Sequence, residues 1–338
     1  MDRPRLSSKT VWNILKIVLA ILLIWFVFSK TNFPEVAGLV RQLSLPWLVL
    51  GLVLFCSLTL LKTFQYYLLT GRQAPYARVL YVVITQNAVS NFIAGGAGIA
   101  SYLTMLSVDE GVRFRKALSS FIIVKMGDLL AVWAVLFVTA LALWPRIEGI
   151  RSAVIVLLAA IMAVVIAFLA AVIGRQKFVQ FVSALTRALK LDHFSLIGRG
   201  VEMLTAIAEQ ESRLMVRALL TGLVFSLIYM TVTLFWYYSN IRAYSLVFPF
   251  VTVSFVNAFL QLISWVPIQV FGGLGVSETS SVFLFGLFGM PAAEIAAMAI
   301  GLRAILYGST LVVLSYLPLS GLLSAKRKSA DPGVGKYN

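Results

Sequence analysis

Three cations, Lys62, Lys125 and Arg303, lie inside long apolar runs, with two carboxylates within reach of the same regions. Asp128 falls one helical turn after Lys125, and Glu278 directly follows a glycine turn. A cation deep in a membrane-spanning helix costs roughly 2.5–3.5 kcal/mol on insertion scales, so such residues face a bundle interior or a water-filled cavity. Lys16 is a fourth, but it is close enough to the end of its run to snorkel. The chemistry open to this set is recognition of an anionic head group. Arg303 can fork two hydrogen bonds to a phosphate, while Lys62 and Lys125 act as point charges. Simpler readings stay open: Lys125 and Asp128 can neutralise each other on one helix face, and Glu278 can cap the first turn of a helix. Glu278 is also a candidate partner for Arg303.

Two glycine-rich breaks would position these charges. Gly95-Gly96-Ala97-Gly98 and Gly272-Gly273-Leu274-Gly275 are each Gly-Gly-x-Gly, followed by a β-branched residue and a small one. Unwound backbone at membrane depth survives only where it lines a cavity or is buried in protein, and paired breaks in two halves point to a transporter built from repeats. Free N–H groups at the breaks add donors for an anion. Lys125 lies 27 residues after Gly98 and Arg303 lies 28 after Gly275, so corresponding cations would approach one central site. Polar contacts are available from Tyr66, Tyr67, Tyr102, Gln86, Asn87, Asn91, Asn257, Gln261 and Gln269, each of which can equally bridge helices.

The elements are set by composition. With 60% hydrophobic and 12% charged residues, the chain has too little polar surface to cover a soluble globule. It reads as an all-α integral membrane protein of about eight transmembrane helices plus re-entrant or broken helices, with a possible inverted repeat. Apolar runs long enough for the roughly 20 residues of a span occur near 11–29, 46–69, 117–144, 152–173, 218–239, 246–265 and 292–319. Residues 79–106 hold the first glycine break and fit a re-entrant hairpin. Residues 266–290 hold the second and read as a broken, short helix.

Charge sets the orientation. The ends and loops 1–10, 70–78, 107–116, 174–217 and 320–338 hold 19 of the 28 Lys and Arg residues, against Lys30, Arg41, Arg146, Arg151 and Arg242 in the opposite loops. Both termini are therefore expected in the cytoplasm. Residues 1–320 form the membrane domain and 321–338 a polar tail. The loop 174–217 reads as two amphipathic helices on the anionic inner leaflet, or as a connector packed on the bundle. The net charge of +15 sits mainly in such loops, which disfavours nucleic acid. One cysteine, Cys56, and one histidine, His193, leave no cluster for a metal, and no cofactor is expected.

The stretch Trp265-Val266-Pro267-Ile268-Gln269-Val270-Phe271-Gly272-Gly273-Leu274-Gly275-Val276-Ser277-Glu278, followed by Phe288-Gly289 and an Ala-rich helix with Arg303, resembles the transmembrane region of lysylphosphatidylglycerol synthases. This flippase-like domain also occurs as free-standing bacterial and archaeal proteins. The resemblance carries over to Pro267, Gly273, Gly275 and Glu278. Upstream, the glycines Gly95, Gly96 and Gly98 and the acid Asp128 are kept, and Lys125 stands where the family tends to have Arg. Two family Glu residues are missing. The resemblance implies lipid translocation in a bacterial or archaeal cytoplasmic membrane, without the soluble synthase domain.

The combined expectation is a flippase-like transporter that passes an anionic phospholipid or lipid-linked head group through a polar cavity between repeat halves. Its expected binding set is Lys62, Lys125, Asp128, Glu278, Arg303 and the glycines of both breaks. The alternative is a non-transporting scaffold that assists a lipid or glycan synthase. An enzyme is not expected, because paired carboxylates, a nucleophile with its base and a metal cluster are all lacking.

Overall fold

The computed structural model describes residues 43–188, 212–265, 273 and 275–317, and every regular element among them is helical. The helices are α1 (Leu45–Leu69), α2 (Tyr76–Phe92), α3 (Gly95–Thr104), α4 (Phe114–Ala142), α5 (Arg151–Ala188), α6 (Ser212–Ala243), α7 (Phe250–Trp265), α8 (Val276–Gly286) and α9 (Ala292–Leu314). A π turn, Met105–Asp109, extends α3, and a 3-10 stretch, Trp144–Ile150, leads into α5. The boundaries follow residue chemistry. Pro46 sits in the first turn of α1, where a missing N–H does no harm. Gly71, with a φ of +71°, turns the chain after α1.

Among the described residues, five helices are long and apolar enough to cross a membrane: Leu45–Leu69, Phe114–Ala142, Trp144–Ala170, Val216–Ala243 and Ala292–Leu314. The shortest covers about 35 Å at 1.5 Å per residue, more than the roughly 30 Å hydrocarbon core. The protein is an all-helical, multi-pass membrane protein. The predicted run 11–29, with Lys16, lies outside the described residues, as do His193 and the polar tail.

The run 246–265 departs from expectation. Pro249 delays the helix start, and the described part of α7 has 16 residues, or about 24 Å, shorter than the five spanning helices. It forms one arm of a hairpin with α8: Phe285 of α8 packs on Phe248, just before α7, and Phe288, just after α8, packs on Phe255 of α7. The predicted loop 174–217 is helical at both ends, because α5 continues to Ala188 and α6 begins at Ser212. Its middle, 189–211, lies outside the described residues.

Residues 79–106 form α2 and α3, folded back on each other. A Cβ at Gly98 of α3 would collide with the Ser90 hydroxyl and come 2.8 Å from the Gln86 carbonyl oxygen of α2. At the open end, Arg78 Nε lies 3.9 Å from Glu110 Oε1, so the chain leaves this hairpin where it entered.

The two hairpins enter the bundle from opposite ends. Helices α1 and α6 are antiparallel neighbours: the Ser44 N–H donates to the Ala243 carbonyl at 2.8 Å, and Gln65 Nε2 donates to the Gly222 carbonyl at 2.9 Å. The first hairpin follows the end of α1 and the second follows the end of α6, so their tips point towards each other. Small residues allow the close contacts inside. A Cβ on Gly127 of α4 would approach the Gly222 carbonyl oxygen of α6 to 3.0 Å, the kind of approach that packs helices without a hydrophobic drive. Leu50, Val53, Leu60, Val224 and Leu227 face outward on α1 and α6 as an apolar surface for acyl chains.

Candidate functional site

A cavity of about 880 Å³ lies where the hairpin tips meet. The first tip contributes Gly95 and Gly96, the second Trp265 and Gly273, and the spanning helices α4 and α9 contribute Lys125 and Arg303. Each tip is tied to the spanning helix that follows the opposite hairpin. Asn91 Nδ2 donates to Thr310 Oγ1 at 3.0 Å and Phe92 packs on Tyr307 of α9, while Trp265 lies against Lys125 of α4.

Glu278 takes on both roles open to it. One carboxylate oxygen, Oε2, accepts from the Gly275 N–H at 2.7 Å and caps α8; the other, Oε1, accepts from Arg303 Nε at 2.7 Å. Gly275 has a φ of +86°, a conformation that only glycine adopts freely. Arg303 Nη2 further donates to the Gly273 carbonyl at 3.2 Å and to the Ser277 hydroxyl. The guanidinium fork expected to hold a phosphate is therefore directed at the protein's own glycine turn. It fixes the second tip against α9.

Lys62 and Asp128 are not on the cavity wall. The predicted Lys125–Asp128 pair is replaced by Lys62–Asp128, with Lys62 Nζ 2.8 Å from Oδ1 and 3.0 Å from Oδ2. Ser226 Oγ donates to Asp128 Oδ1 at 2.7 Å, Gln65 Nε2 donates to Ser226 Oγ at 3.0 Å, and Lys62 Nζ donates to Gln65 Oε1 at 3.0 Å. These four side chains close a ring of hydrogen bonds between α1, α4 and α6, with the Tyr229 ring 4.1 Å beneath the ammonium. A buried ion pair this fully satisfied is a packing device.

Lys125 is thereby left to the cavity. Among the described residues its ammonium makes no hydrogen bond and no ion pair. It lies 5.5 Å from the Trp265 ring and 5.7 Å from the Phe121 ring, at cation–π distance from both. Of the predicted binding residues, the structure gathers Lys125, Glu278, Arg303, Gly95, Gly96 and Gly273 around one space. Gly98 and Gly275 serve helix packing and capping, and Gly272 lies outside the described residues.

Of the polar residues named from the sequence, Gln86, Asn91, Asn257 and Gln261 line the cavity. Tyr66 and Tyr102 instead pack together in a buried cluster with ring centroids 4.5 Å apart. Sequence reasoning missed Trp236, Asn240, Ser264 and Ser281 on the wall. Ser264 and Ser281 carried a signal, their nearness to the second break; Trp236 and Asn240 sit in unremarked helical turns.

Comparison with curated proteins and with solved structures finds no match. The family model for the lysylphosphatidylglycerol synthase TM region, a transmembrane and not a catalytic region, matches residues 13–313. The chain belongs to that lipid-related membrane family.

Proposed function

We propose that this protein moves an anionic phospholipid or lipid-linked head group across the membrane through the cavity between the hairpin tips. The observation that carries this reading is Lys125, a cation in a spanning helix that the described residues leave without an ion-pair partner at the wall of the cavity. The opening N–H groups of α3, at Gly95 and Gly96, border the same space and add donors at a positive helix end. The head group would bind there while acyl chains stay in lipid, and would leave as the two halves rock about the site.

A scaffold that assists a lipid or glycan synthase is the second reading. It is favoured by the Lys62–Asp128 and Arg303–Glu278 pairs, which are explained by helix packing alone. Lys125 is what it leaves unexplained.

The test is transbilayer movement of labelled phosphatidylglycerol in liposomes holding the purified protein, beside a Lys125→Gln variant with an unchanged unfolding midpoint. Movement that falls about tenfold or more in the variant supports transport, about 1.4 kcal/mol of barrier. Movement no faster than in protein-free liposomes favours the scaffold.

A further inference from the structure

Two side-chain amides on the cavity wall, Asn257 and Gln261, are only partly used by the protein. Asn257 Oδ1 accepts from Gln261 Nε2 at 2.8 Å, while the Asn257 NH2 and the Gln261 side-chain oxygen Oε1 have no hydrogen-bond partner among the described residues. Neutral donors and acceptors side by side match hydroxyl groups, which both give and accept. Beside them, Trp265 and Phe121 offer flat faces against which the C–H face of a sugar or cyclitol can rest.

The charge on the wall narrows the choice further. Arg303 is matched by Glu278, so the local excess is the single positive charge of Lys125, which suits one phosphodiester. The carboxylate on the wall has both oxygens engaged, one by the Gly275 N–H and one by Arg303. The segment 266–274, which joins the arms of the second hairpin, contains no Asp or Glu. An ammonium on a head group would meet Lys125 and find no unengaged carboxylate on the described wall of the cavity. Lysylphosphatidylglycerol carries two ammonium groups and one phosphate, the wrong sign for this wall.

Building on the transport reading above, we propose that the cavity's substrate class is a phosphodiester lipid with an uncharged polyol or sugar head group, and that head groups bearing a free ammonium are rejected. Both a glycerophospholipid and a polyprenyl-phosphoryl sugar present that chemistry.

Equilibrium binding tests this apart from movement. The full-length protein in phosphatidylcholine nanodiscs is titrated with phosphatidylinositol, phosphatidylglycerol, polyprenyl-phosphoryl glucose, phosphatidylethanolamine and lysylphosphatidylglycerol. At least one of the first three is expected to bind about tenfold or more tighter than either of the last two, since like charges oppose each other at a desolvated wall. Which of the three it is identifies the lipid source. Lys125→Gln should abolish the preference and Lys125→Arg should keep it. Asn257→Leu should weaken the polyol lipids and leave phosphatidic acid, which has no polyol, unchanged. Equal binding of lysylphosphatidylglycerol, or an unchanged ranking in Lys125→Gln, would overturn the proposal. Competition by free inositol 1-phosphate at the lipid's own concentration would overturn the lipid as its source. Preference without transbilayer movement would remove the transport reading and keep this head-group class; movement without preference would do the reverse.

Discussion

Lys62 donates to both carboxylate oxygens of Asp128, at 2.8 and 3.0 Å, across the contact between α1 and α4. Asp128 is thereby withheld from Lys125, which stands one turn earlier on the same helix. One cation is neutralised for packing and the other is left at the cavity. The division of labour among the membrane-embedded charges rests on this pair.

Removing one partner should leave the other charge buried and alone. Lys62→Ala or Asp128→Ala is expected to destabilise by about 3–5 kcal/mol, while Lys62→Met combined with Asp128→Leu should recover most of that loss. Thermal unfolding of the solubilised single and double variants reads this directly. A stable double variant that has lost anionic-lipid binding would place Lys62 in the site after all.

Glu278 joins a cap to an ion pair, and graded substitutions should separate the two. Glu278→Gln keeps an oxygen for the Gly275 N–H but gives up the charge opposite Arg303. Glu278→Ala loses both, so it should be less stable than Glu278→Gln by about 1 kcal/mol, the usual worth of a cap. Arg303→Lys should also destabilise, because an ammonium cannot span Glu278, the Gly273 carbonyl and Ser277 as the planar fork does. Equal unfolding midpoints for all three variants would contradict the assignment.

The glycines of the first break should behave differently from one another. Nothing lies within 4 Å of a Cβ built on Gly95 or Gly96, so Ala at either should leave stability unchanged or raise it by up to about 1 kcal/mol. Gly98→Ala drives a methyl into Ser90 and the Gln86 backbone and should cost about 1–3 kcal/mol. Unfolding midpoints of the three variants test the closeness of α2 and α3. A neutral Gly98→Ala would mean that the hairpin is looser than described.

Much of this arrangement was legible because membrane helices announce themselves by length and apolar content, and glycine breaks by their rarity inside such runs. Glu278 with Arg303 was readable because the cap position and the lone guanidinium each needed a partner. Lys62 with Asp128 was not. Three residues of spacing made Lys125 look like the natural partner of Asp128, and only the packing of α1 on α6 and of α6 on α4, at close contacts such as Gly51 with Asn240 and Gly127 with Gly222, brings Lys62 closer. The late start of α7 was hidden for a related reason: hydrophobicity continues through Leu246, Val247 and Phe248, while the helix waits for Pro249.

Opposed entry of the hairpins makes a prediction about sidedness. On a Cys56→Ala background, cysteines are placed at Gln73, Arg113, Glu148 and Val247, all exposed between helices. Gln73 and Arg113 flank the first hairpin, and Val247 precedes the second at the end of the bundle where Glu148 lies. An impermeant maleimide should therefore label positions 73 and 113 from one side of the membrane and positions 148 and 247 from the other. From the cationic character of Arg72, Arg78, Arg113, Arg115 and Lys116, the first pair is expected to label from the cytoplasmic side. Labelling of intact spheroplasts against inverted vesicles reads all four positions. If residues 79–106 crossed the membrane completely, positions 73 and 113 would label from opposite sides, and the tips could not meet at a shared cavity.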